Sequence, residues 1–87
     1  MSYNIKWHED AVRDLKNIDK TQARRIIDKV EGYLVKDPAR LGKPLKGLFK
    51  GLYAYRCGDF RVLYALDREQ KMILIETVGD RKTVYKY

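Results

Sequence analysis

Residues 52–66 read Leu-Tyr-Ala-Tyr-Arg-Cys-Gly-Asp-Phe-Arg-Val-Leu-Tyr-Ala-Leu, two alternating runs around Gly58-Asp59, a pair suited to closing a two-residue hairpin. With those two residues as the loop, Cys57 faces Phe60, Arg56 faces Arg61, Tyr55 faces Val62, Ala54 faces Leu63 and Tyr53 faces Tyr64. One face then carries Tyr53, Tyr55, Cys57, Phe60, Val62, Tyr64 and Leu66, apolar enough to receive a layer of helices. The other face sets Arg56 opposite Arg61. Like charges directly across a ladder are destabilising by a few tenths of a kcal/mol up to about 1, so the pair points to an anion site. The alternative is that both long side chains splay into water at almost no cost.

Downstream of this central hairpin, a polar turn leads into residues 72–78, almost wholly apolar, as expected of a strand inside a sheet and buried on both faces. The tail leaves that strand and adds Arg81, Lys82 and Lys86 with Tyr85 and Tyr87. Upstream, residues 37–51 interleave Pro38, Gly42, Pro44, Gly47 and Gly51 with lysines and with Leu41, Leu45, Leu48 and Phe49, which predicts a partly anchored basic loop. It has no P-loop spacing.

Further back, Ala23, Ile26, Ile27, Val30, Tyr33 and Leu34 form an apolar stripe at helical spacing, opened by Asp19 and Gln22 in capping-box positions and ended by Asp37 ahead of Pro38. A shorter helix begins at Glu9, with Ala11, Val12, Leu15 and Ile18 on one side and His8 as boundary or cap. A few residues join the two, so an antiparallel helical hairpin is expected. Tyr3, Ile5 and Trp7 alternate with Asn4 and Lys6 as a first strand, with Trp7 in the core.

The 87 residues allow one small domain, taken as 1–87, with 45% apolar residues to fill a core without disulfide or metal. The net charge of +7 is segregated: residues 1–37 hold eight Lys/Arg against seven Asp/Glu, and residues 38–87 hold eleven against five. A polyanion or an acidic protein partner is the expected ligand. The lone Cys57, on the apolar strand face, suits a buried thiol rather than a nucleophile. It also fits a reducing cytoplasm. No run approaches the ~18 apolar residues of a membrane span, and His8 has no ligand cluster around it that would hold a metal.

Strand, two helices, Gly-Lys-Pro-Leu-Lys-Gly (42–47), Arg-Cys-Gly-Asp-Phe-Arg-Val-Leu-Tyr (56–64) and Val-Gly-Asp-Arg-Lys-Thr-Val-Tyr (78–85) together resemble the RelE/ParE superfamily of bacterial and archaeal toxins of type II toxin-antitoxin systems. The resemblance spans essentially the whole chain. It implies an α+β, two-layer RelE-like fold, with an N-terminal strand and a two-helix hairpin packed on a mainly antiparallel sheet, and a basic concave face opposite. It also implies metal-independent cleavage of mRNA in the ribosomal A site, as in RelE-like members, and the need for no cofactor. The family's phosphate-binding arginines correspond to Arg61 and Arg81, and its C-terminal tyrosine to Tyr85 or Tyr87. Ala54 and Ala65 stand where RelE-like hairpins often carry Lys or Arg, and Asp80 where many members have His.

Two functions follow as expectations. A ribosome-dependent mRNA endonuclease (an mRNA interferase) uses the RNA's own 2′-hydroxyl as nucleophile. The protein then needs a base and cations for the charge developing on the phosphate. Arg61 and Arg81 supply the cations, and a tyrosine near guanidinium groups supplies the base. Tyr85 is favoured over Tyr87, and Lys43, Lys46, Lys50, Arg56, Lys82, Lys86 and Tyr87 are candidate RNA contacts. The alternative is a ParE-like protein that inhibits DNA gyrase by contact alone. Either function implies an acidic antitoxin partner in a toxin-antitoxin hetero-oligomer; the first adds ribosome and mRNA, and neither involves a membrane.

Overall fold

The computed structural model describes residues 2–85. Five strands form one sheet in the order β1-β5-β4-β3-β2. In chain order they are β1 (Asn4–Trp7), β2 (Lys43–Pro44), β3 (Leu52–Cys57), β4 (Phe60–Asp67) and β5 (Met72–Asp80). The predicted hairpin is observed with its register intact, Cys57↔Phe60 through Tyr53↔Tyr64. Gly58 takes φ +60° at the first loop position, as a type II′ turn needs. The sheet is mixed rather than antiparallel throughout, because β1 lies parallel to β5, with Asn4 opposite Met72.

β5 is interior, as its apolar composition predicts, but it is buried on one face and half-buried on the other. A bulge explains the pattern. Leu63 pairs with Thr77 and Tyr64 with Ile75, so Glu76 is an extra residue and the side-chain alternation slips by one. Ile73, Ile75 and Val78 thereby all face the helices.

The helices are α1 (Glu9–Lys16), α2 (Lys20–Gly32) and the short α3 (Pro38–Leu41). His8 caps α1, its Nδ1 accepting from the Asp10 N–H at 3.1 Å, and Asp19 caps α2 through the N–H groups of Thr21 and Gln22. Ala11, Ile26, Val30 and Leu34 pack with Val62, Tyr64, Ile73 and Ile75 in the core, with Trp7 and Leu15 partly buried against it. Two stripe members depart from expectation: Val12 is 38% exposed and Tyr33, the residue that ends α2, is 60% exposed. Where β1 ends, α1 takes over the edge of β5. The Asp14 carboxylate accepts the Val78 N–H at 3.0 Å, a bond a longer β1 would have supplied.

Residues 37–51 are more ordered than a loop. Pro38 opens α3, where its missing N–H costs nothing, and Lys43 and Pro44 pair with Ala54 and Tyr53. The buried Tyr64 hydroxyl donates to the Pro38 carbonyl, and its ring stacks on Tyr53 at 5.5 Å. Gly42 is required at its position, since a Cβ there would lie 1.7 Å from the Tyr64 hydroxyl oxygen. A second, smaller apolar cluster covers the opposite sheet face, where Leu63 and Val84 are buried beside Phe49 and Leu52.

Candidate functional site

The hairpin register puts Arg56 and Arg61 on the sheet face opposite the helices, directly across from one another. Gly79 of β5 pairs with Arg61 on its other side. Because Gly79 has no side chain, the tail can fold back over it; a Cβ there would stand 3.1 Å from Thr83 Oγ1. Asp80 fixes the fold-back. Its Oδ1 accepts from the Lys82 N–H at 2.8 Å, the Thr83 N–H at 2.9 Å and the Thr83 hydroxyl at 3.1 Å. Its carbonyl accepts from the Thr83 and Val84 N–H groups. The strand runs on to Asp80 and residues 81–85 form a turn, because one carboxylate satisfies several donors locally.

This turn carries Arg81 and Lys82 to the arginine pair. Arg56, Arg61, Arg81 and Lys82, with the carboxylates of Asp59 and Asp80, line an open cleft of about 380 Å³. Cations outnumber carboxylates, and the ion pairs among the described residues lie elsewhere, on α1 and α2. Arg56 Nε donates to the Gly58 carbonyl at 3.4 Å and Arg61 Nη1 to the Phe60 carbonyl at 3.2 Å, bonds that aim each guanidinium along the hairpin turn. The Lys82 N–H, followed by the Thr83 N–H and hydroxyl, holds the Asp80 carboxyl below the usual carboxylate range. It is therefore ionised at neutral pH and has no proton to donate.

The sequence-derived residues are divided by the fold. Arg61, Arg81, Arg56 and Lys82 share the cleft. Lys43 pairs with Ala54 and so projects from the same sheet face, while Lys46 and Lys50 stand exposed on either side of the 3-10 turn Gly47–Phe49. Tyr85 does not line the cleft; its ring packs edge-on against Phe49 with centroids 5.4 Å apart. Lys86 and Tyr87 lie outside the described residues. Cys57 is buried in the apolar layer, and that burial pushes its thiol up to about 11, against the pull of Lys29 and Arg61.

Sequence reasoning missed the two carboxylates in the lining and the role of Phe49 as the seat of Tyr85. For Asp80 a signal existed, since Asp-Arg-Lys-Thr after a strand is the pattern of a side chain that captures the next N–H groups. For Phe49 there was none, as the contact joins residues 36 positions apart. Among the described residues, no three His, Cys, Asp or Glu side chains stand where they could hold a metal ion, and no helix is long and apolar enough to cross a membrane.

Comparison with known proteins agrees with the resemblance drawn from the motifs. The family model of the ParE toxin of type II toxin-antitoxin systems matches residues 5–85. Toxin RelE of Mycobacterium tuberculosis is 34% identical over 84 residues, 97% of this chain and 87% of that protein. Toxin RelG of the same organism is 30% identical over 86 residues, 99% of each. Among solved structures, the RelBE2 toxin-antitoxin complex of Mycobacterium tuberculosis gives a TM-score of 0.88 at 30% identity, over 93% of this chain and 100% of that one. The archaeal RelE-RelB complex of Pyrococcus horikoshii OT3 gives 0.76 at 28% identity, over 97% and 100%.

Proposed function

Because this chain belongs to the ParE toxin family of type II toxin-antitoxin systems, we propose that it is a RelE-like toxin that cleaves mRNA on the ribosome. The observation that supports this reading is the convergence of Arg56, Arg61, Arg81 and Lys82 on one cleft, with none of them in an ion pair among the described residues. A phosphodiester passing through a pentacoordinate state gains negative charge on its oxygens, and fixed cations stabilise that state more than the ground state. In the proposed reaction the 2′-oxygen bonds to the adjacent phosphorus as the bond from phosphorus to the 5′-oxygen breaks. Arg61 and Arg81 neutralise the phosphate, and Arg56 and Lys82 hold the flanking backbone. Tyr85, turned from its seat on Phe49 into the cleft when RNA is bound and acting as the phenolate, takes the 2′-hydroxyl proton, and water returns one to the leaving 5′-oxygen.

The relatives named as toxin-antitoxin complexes suggest the partner. A cognate antitoxin, acidic to match the excess of eleven Lys/Arg over five Asp/Glu in residues 38–87, covers the basic face in a hetero-oligomer. The site of action is the cytoplasm, where ribosome and mRNA meet.

One observation favours a second reading, a gyrase inhibitor that acts by contact. Among the described residues the cleft lining contains no histidine or tyrosine, and the Asp80 carboxylate is occupied by the tail turn. Purified protein added to a translating extract, with mRNA ends mapped and a gyrase supercoiling assay alongside, separates the two. Codon-specific cuts are expected; intact mRNA with blocked supercoiling would transfer the assignment to the second reading.

A further inference from the structure

The opposite wall of the hairpin turn carries a second basic strip that the cleavage reaction does not use. Arg25, Lys29, Tyr33 and Lys36 recur at helical spacing along α2 and the 3-10 turn that follows, and all four are exposed. Of the nearby carboxylates, Asp28 is drawn to Arg24 at 3.5 Å, while Glu31 and Asp37 pair with none of the strip's three cations among the described residues. Tyr33 is 60% exposed, an unusual position for a large ring, and the Nζ atoms of Lys29 and Lys36 each sit 6.0 Å from its centroid. That is the outer limit of a cation–π contact, so either lysine can turn to a phosphate at little loss.

The strip is continuous with the cleft. A depression of about 240 Å³ between α2 and the hairpin is lined by Arg25, Lys29 and Gly58, and Gly58 also lines the arginine cleft. With no side chain at the crest, a flexible polyanion can pass from one to the other.

We propose that Tyr33 is a base-stacking platform, and Arg25, Lys29 and Lys36 its phosphate clamps, for single-stranded RNA that leaves the arginine cleft across Gly58 and continues along α2. This extends the RNA reading of the cleft and rests on it. An aromatic ring between cations is the usual composition of a single-strand path, since every base offers a π-face and every link a charge. The contact secures RNA beyond the scissile linkage, so the toxin gains affinity without further contacts at the reacting phosphate.

The test is binding of a fluorescent single-stranded oligouridylate of about twelve nucleotides across a salt series. Tyr33→Ala should weaken binding by about 5- to 150-fold, the range of one lost stack, and Tyr33→Trp should restore it. Lys29→Gln combined with Lys36→Gln should reduce the slope of log affinity against log salt by about 1.4, at ~0.7 for each single-strand phosphate contact. If these variants bind like wild type while Arg61→Ala binds weakly, the path along α2 is wrong and the cleft reading stands. If Arg61→Ala also binds like wild type, both fail. Equal dependence on Tyr33 with duplex RNA would overturn the stacking role. Loss of polyglutamate binding alone in the α2 variants would assign the face to a protein partner and overturn the proposal.

Discussion

Arg56 and Arg61 stand directly opposite one another on β3 and β4, and no carboxylate forms an ion pair with either among the described residues. The arrangement costs up to about 1 kcal/mol of ladder stability and concentrates positive charge on one side of the sheet. Arg61→Ala should therefore melt at or above the wild-type temperature while losing about 10²- to 10³-fold in cleavage, the usual worth of one electrostatic stabiliser. Arg81→Ala should behave alike in activity. Growth arrest on toxin-only expression and thermal melts are the measurements; a large fall in melting temperature for Arg61→Ala would make the residue structural.

Tyr85 is proposed as the base. On programmed ribosomes Tyr85→Phe is expected to lose about 10²- to 10⁴-fold in cleavage, as when a positioned base is removed, and Tyr87→Phe less than about tenfold. The ring contact with Phe49 survives the first change, so lost activity there reports the hydroxyl. The reverse ordering would move the role to Tyr87.

Asp80 acts on the site through the turn it holds. Asp80→Asn keeps an acceptor for the Lys82 and Thr83 donors and should retain most cleavage, whereas Asp80→Ala should lose more than about tenfold as Arg81 and Lys82 leave the cleft. The pH dependence has a defined sign. The folded pKa is depressed, so this stabilisation is complete above the unfolded value of about 3.9 and is lost as pH falls through the folded value. Wild type should thus lose melting temperature more steeply than Asp80→Asn below about pH 4; parallel curves would contradict the role.

Gly42 and Tyr64 form a coupled pair in the core. Gly42→Ala forces a methyl group onto the Tyr64 hydroxyl and displaces it from Pro38, a loss of about 2–3 kcal/mol from overpacking and a broken buried hydrogen bond. That corresponds to roughly 10 °C or more in a domain of this size. Gly42→Ala combined with Tyr64→Phe should cost less than the sum of the two single changes. Additive losses would mean the two residues do not interact.

The hairpin was legible to the residue because Gly58-Asp59 fixes the register locally, and the register in turn sets Arg56 against Arg61. The pairing of β1 with β5 was not legible, since nothing in residues 4–7 specifies which distant strand they join. The bulge at Glu76 was hidden for a related reason: an extra residue shows only when two strands are laid side by side. Pro38 read as a stop for α2, but α2 already ends at Gly32 and Pro38 instead opens α3, where its fixed φ suits the first helical turn. In the site, the arginines were visible as a pattern of charge. Their convergence depends on Gly79 and Asp80 turning the tail, a geometry that no periodicity encodes.

β5 is the last of the five strands in chain order and lies second in the sheet, between β1 and β4. During synthesis β1 therefore has no neighbour to pair with until the rest of the domain has been made, and the nascent chain must hold Asn4 open for Met72. Arg81 comes later still, in the turn just past the far end of that same strand. A chain stalled or broken before residue 72 carries Arg56 and Arg61 without β5 or the third guanidinium, so its cleft is incomplete. The order of the strands makes the assembled cleft a property of the finished polypeptide alone.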